Sequence, residues 1–118
     1  MDKNRKRELL EEYKNRKPEM GIVAIYCIPT DEIFLGIAKD TRAIINSHSV
    51  KLAYDYHPNS YLQGLWNTYG KEQFKISVHE VLPYDEVTED YTDDLESLLE
   101  LCLSQVENGH YIKRPIRR

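Results

Sequence analysis

The side chains able to do acid–base, metal or nucleophilic chemistry in this sequence are four histidines, two cysteines and the carboxylates that crowd its C-terminal third. Their spacing decides what each can do. His48 falls on one helical face with Ile44, Ile45 and Leu52, where an imidazole can move a proton near neutral pH or simply pack as a core residue. His57 precedes Pro58 in a loop, His79 lies on the wet face of a strand, and His110 lies beyond the last helix. These spacings match no metal-ligand pattern. Glu96 and Glu100 are four apart and share one face of a predicted helix, so a divalent-cation site can be drawn on them. Carboxylates on a mostly acidic helix face are more commonly solvated. Cys27 and Cys102 each sit in an apolar stretch with no C-x-x-C or Cys/His partner, which predicts two buried, reduced thiols.

The elements that must position these groups follow from periodicity. Residues 5–17 read as a charged helix with Leu9, Leu10 and Tyr13 on a narrow stripe, stopped by Pro18. Residues 21–28 form a strand apolar on both faces, residues 29–32 a turn, and residues 33–37 the returning strand of an antiparallel hairpin. Asp40 caps a helix that places Ile44, Ile45, His48 and Leu52 inward. Asn59 or Ser60 caps a second helix with Leu62, Leu65, Trp66 and Tyr69 inward, ended by Gly70. Phe74, Ile76 and Val78 then alternate with Lys75, Ser77 and His79 in a strand with one wet face. A last helix over 93–107 turns Leu95, Leu98, Leu99, Cys102 and Val106 inward. The order predicts an α+β domain: a three-stranded antiparallel sheet, made of a hairpin and one later strand, covered by helices.

At 118 residues the chain suits one domain. Its division reads as a charged N-terminal helix (1–20), the domain itself (21–107) and a basic C-terminal tail (108–118). The apolar runs are too short for a membrane span, and no apolar stretch follows the basic start, so the expected compartment is cytoplasmic. A net charge of −4 hides a segregation of signs: residues 85–107 hold nine Asp/Glu and no Lys/Arg, while residues 108–118 hold four Lys/Arg and no acid. An acidic total argues against avid, unspecific DNA binding, although Lys113, Arg114, Arg117 and Arg118 can still meet phosphates.

Gly21-Ile22-Val23 and Phe34-Leu35-Gly36 are spaced across the hairpin as the two name-giving motifs of a known family are. A helix with His48 near its end follows, then Leu62-Gln63, Trp66, Gly70 before Phe74, and a strand closing on Leu82-Pro83-Tyr84. In joint order and spacing, from about residue 20 to 106, the chain resembles the GIY-YIG nuclease superfamily. That resemblance implies hydrolysis of a DNA phosphodiester. A glutamate on the last helix would hold one divalent metal, a tyrosine would activate water, and an arginine would stabilise charge on the phosphate.

The sequence departs from the family where that chemistry should be. Val23 and Phe34 stand at the two motif tyrosines, Ile44 at the arginine, and Leu99 at the metal-binding glutamate. Arg42, two positions before Ile44, is roughly 200° around the helix and directed away from the site. Tyr26 lies on the strand face opposite Val23. Of the compared positions His48 alone keeps a family functional residue, able to orient phosphate or donate a proton. The expectation is a degenerate GIY-YIG-like domain without catalytic activity or cofactor, binding nucleic acid or a protein partner. The alternative is an active Mg²⁺- or Mn²⁺-dependent endonuclease with relocated groups, using His48 with Glu96 or Glu100.

Overall fold

The structure is a computed structural model that describes residues 17–85 and 89–112. The predicted N-terminal helix, apart from Lys17, and the basic residues Lys113, Arg114, Arg117 and Arg118 lie outside the described residues.

Strands β1 (Gly21–Cys27) and β2 (Glu32–Ala38) form the expected hairpin, pairing from Gly21 with Ala38 to Cys27 with Glu32. Asp31 turns the chain at φ 59°, a left-handed conformation that a short polar side chain tolerates. Strand β3 (Phe74–Val81) pairs antiparallel with the other edge of β1, so β1 is an inner strand. This explains its nearly continuous apolar run: both of its faces are covered. A bulge between Ile22 and Val23 shifts the β1–β3 register. Gly21 sits beside it, and a Cβ there would lie 2.0 Å from the carbonyl oxygen of Glu80. The first glycine of the motif is therefore demanded by close backbone approach.

Alternation sends the two sides of the hairpin into two separate cores. Val23, Ile25, Cys27 and Phe34 meet helices α1 (Thr41–Ala53) and α2 (Ser60–Tyr69) through Leu52 and Leu62, with Ile44, Ile45, Leu65 and Trp66 around them. Ile22, Ala24 and Leu35 meet helix α3 (Thr92–Ser104) through Leu99 and Cys102. Each fully buried Leu, Ile or Phe in these clusters contributes roughly 1.5–3 kcal/mol relative to exposure. Both cysteines are buried and unbridged, one in each core. The Asp40 carboxylate caps α1 by accepting from Ala43 N–H at 3.2 Å, and the Asn59 side chain caps α2 by accepting from Leu62 N–H at 3.1 Å. Gly70, at φ 91°, ends α2 before a 3₁₀ turn (Lys71–Gln73) leads into β3.

Three expectations need correction. The sheet has four strands, ordered β3-β1-β2-β4, where three were expected. Strand β4 (Gly109–Tyr111) runs parallel to β2 inside the segment read as tail. Three residues, Gly-His-Tyr, offer no apolar alternation, and their pairing depends on where α3 returns the chain. Helix α3 ends at Ser104, before the predicted 107, although Val106 still packs on the second core. Tyr69 is 42% exposed, because the inward stripe of α2 stops at Trp66. Among the described residues no helix is long and apolar enough to cross a membrane.

Candidate functional site

The four positions that the GIY-YIG resemblance aligns with catalytic groups are packed into the cores. Val23 and Phe34 are 0% and 1% exposed in the α1/α2 core, and Ile44 packs against that core from α1. Arg42 is exposed. Leu99 is buried in the other core, on the opposite face of the sheet. The Tyr26 hydroxyl donates to the Asp31 carboxylate at the hairpin turn, and Tyr26 takes no part in the α1/α2 core.

His48, on α1, is joined to His57, in the loop before α2, by a 2.9 Å contact between His48 Nδ1 and His57 Nε2. The rest of the network assigns the protons. The backbone N–H of Asn59 donates to His57 Nδ1 at 3.0 Å, so that nitrogen holds no hydrogen. Neutral His57 therefore carries its proton on Nε2 and donates it to His48 Nδ1, which leaves His48 with an Nε2–H. Among the described residues nothing is bonded to that Nε2–H. Adding a proton to either ring breaks a bond already made. Burial lowers both imidazoles from 6.5 to about 4, with further repulsion from Lys51 on both and from His57 on His48.

Gln63 fixes the loop that presents His57. Its Oε1 accepts from His57 N–H at 3.0 Å, and its Nε2 donates to the Leu52 carbonyl and to Asn67 Oδ1, each at 3.0 Å. The side chain spans from the end of α1 to α2 and is buried. Asn59 extends the network to β4, donating to the carbonyls of Tyr111 (3.3 Å) and Ile112 (3.0 Å).

Beyond Asn59 lies an open groove of about 510 Å³ lined by Phe34, Asn59, Tyr61, Gly109, His110 and Tyr111. Behind its wall, Glu32 accepts from the Tyr61 hydroxyl at 2.8 and 3.0 Å and bonds His110 Nε2 at 2.8 Å. Desolvation alone would raise the Glu32 carboxyl, but hydrogen bonding, that from Tyr61 foremost, together with the nearby His110 outweighs it and holds the group below its ordinary value. The bond to Glu32 raises the Tyr61 phenol, keeping it a protonated donor. The His110 ring stacks on Phe34, with centroids 4.9 Å apart and planes at 28°.

The architecture matches that of the catalytic domain of the homing endonuclease I-TevI, with TM-score 0.65 and 23% identity over 80% of this chain and 99% of that one. The fold here is GIY-YIG. A mutant of the same domain, from the intron endonuclease I-TevI, gives TM-score 0.65 and 23% identity over 83% of this chain and 97% of that one. No family model matches the sequence, and no curated protein does. A shared fold leaves activity to be argued from the residues.

The GIY-YIG resemblance implies one divalent cation held by a glutamate of the last helix, and the position that aligns with that glutamate is Leu99. Among the described residues no three His, Cys, Asp or Glu side chains converge. Glu96 and Glu100 are exposed on α3, and Leu99, at the aligned ligand position, offers no donor atom. The sequence reading singled out His48 but not His57, Asn59 or Gln63, nor the Glu32–Tyr61–His110 cluster. Only the N-cap role of Asn59 was visible locally; the other partners are brought together by contacts between separate elements.

Proposed function

We propose that this GIY-YIG-fold domain lacks phosphodiesterase chemistry and acts as a binding module. The observation that carries the reading is the apolar occupancy of Val23, Phe34, Ile44 and Leu99, each packed into a core. A phosphoryl transition state needs charge neutralised and a proton moved, and groups that do this act as a unit. The likeness to an endonuclease domain supports DNA as a partner. Charge supports a protein partner instead: the described residues include 15 Asp/Glu and 6 Lys/Arg, so phosphate contact would fall to the basic ends. We favour the protein partner, met in the expected cytoplasmic setting.

One observation favours the rival reading of a metal-dependent endonuclease: His48 is held in a defined tautomer with its Nε2–H unpaired among the described residues. It would need Mg²⁺ or Mn²⁺ held by relocated carboxylates such as Glu96 or Glu100. A nicking assay on supercoiled plasmid with Mg²⁺ or Mn²⁺ separates the two, run beside His48→Ala and Glu96→Ala. We expect no cleavage at high protein concentration. Cleavage that both substitutions remove would overturn the binding-module reading and establish the rival.

A further inference from the structure

We propose that the groove between α2 and β4 receives the cationic side chain, arginine or lysine, of a basic polypeptide partner. The proposal rests on the binding-module reading and names the chemistry of its partner.

Three features of the groove point to a cation. The first is its aromatic wall: Tyr61 and Tyr111 are 54% and 45% exposed, and Tyr61 lies 5.8 Å from His110 and 6.1 Å from Phe34 by ring centroid. Aromatic faces carry the negative lobe of a quadrupole and attract ammonium and guanidinium groups. The second is Glu32, placed behind that wall. By accepting from the Tyr61 hydroxyl it pushes electron density into the phenol ring, and its own negative charge lies one hydrogen bond from two lining side chains. The third is His110. Its Nε2 bonds Glu32 at 2.8 Å and its ring lines the groove beside Phe34 and Tyr61, adding a further aromatic face.

What the groove lacks argues the same way. Among the described residues no lysine or arginine lines it, so none of them offers an anionic ligand such as a phosphate a cationic partner. Asn59 reads no ligand, because its amide is spent on Leu62 N–H and on the Tyr111 and Ile112 carbonyls. A neutral aromatic guest would stack on the tyrosines but gain nothing from Glu32. The acidic excess of the surrounding body extends the attraction outward and steers a basic segment toward this face.

The test is a titration of the full chain, followed by backbone amide NMR shifts, with a ten-residue Gly/Ser peptide carrying three arginines. The same peptide with citrulline in place of arginine, and a thymidine decanucleotide, serve as controls. We expect saturable shifts centred on Tyr61, His110 and Tyr111 with the arginine peptide and none with citrulline. Glu32→Gln keeps a hydrogen-bond acceptor and removes the charge, and Tyr61→Ala removes a ring; each should weaken binding about fivefold to tenfold. Equal binding of the citrulline peptide would overturn the proposal. So would arginine-peptide shifts that spread over α3 and survive Glu32→Gln, or groove shifts caused by the oligonucleotide. Plasmid nicking would sink the binding-module reading, whereas a silent titration in protein that does not nick would sink the cation site alone.

Discussion

The two faces of the sheet are organised differently. On the α1/α2 side, buried or half-buried polar groups are tied across four segments: His48 to His57, His57 to Gln63 and Asn59, and Asn59 to β4. On the α3 side the core is Ile22, Ala24, Leu35, Leu99 and Cys102, and the acids Asp93, Asp94, Glu96 and Glu100 stay outside, exposed. A buried polar network must be satisfied at every member, whereas an apolar seam under solvated charge needs only shape and volume. The contrast places the interlocked polar groups of this domain on the α1/α2 face. On α3, Asp93 and Asp94 suit the positive end of the helix dipole.

The sharpest attempt to break this contrast is Leu99→Glu, which would place a carboxylate at the position that the resemblance aligns with the GIY-YIG metal ligand. Buried in an apolar cluster, the carboxylate should cost about 4 kcal/mol in urea unfolding and produce no metal-dependent nicking. A stable, metal-binding variant would show that the α3 face can host the site after all. Next, Gln63→Leu leaves His57 N–H and the Leu52 carbonyl without partners, an expected loss of about 2–3 kcal/mol by the same measurement. A loss under 0.5 kcal/mol would mean that the network is ornamental.

The histidine pair gives a pH test. Both imidazoles fall to about 4 in the folded protein from the ordinary 6.5, so between those values the unfolded chain binds more protons. Stability from this source is complete above pH 6.5 and is lost as pH falls toward 4, on the order of 2 kcal/mol for the linked pair with solvent screening included. His48→Gln/His57→Gln protein should lack that slope in thermal melts taken across the window. Smallest of all, Glu96→Gln and Glu100→Gln should each change stability by about 0.5 kcal/mol or less. A larger effect, or a Tm rise with Mg²⁺ that either removes, would break the contrast from the α3 side.

Much of the fold was legible because local chemistry and tertiary demand agree along the hairpin and helices. Gly21 and Gly36 mark the hairpin, Asp40 and Asn59 do cap their helices, and the stripe Leu95, Leu99 and Cys102 is buried. Strand β4 was missed because parallel pairing at an edge leaves no alternation in three residues. The site was less legible. His57 in its loop resembled any solvated histidine, since its partners Gln63, Asn59 and His48 are six, two and nine residues away in different structural roles. Glu32 and His110 are 78 positions apart, and no period or motif links them.

The sequence by itself determined the hairpin, β3, the three described helices and most of their apolar faces, because side-chain identity and periodicity are local properties. Tertiary structure alone decided that β4 closes the sheet edge, that Leu99 and Phe34 lie on opposite faces, and that Glu32, Tyr61 and His110 meet. The reason is geometric: a strand partner or a hydrogen bond between distant positions forms only after the sheet and helices have fixed where each chain segment runs.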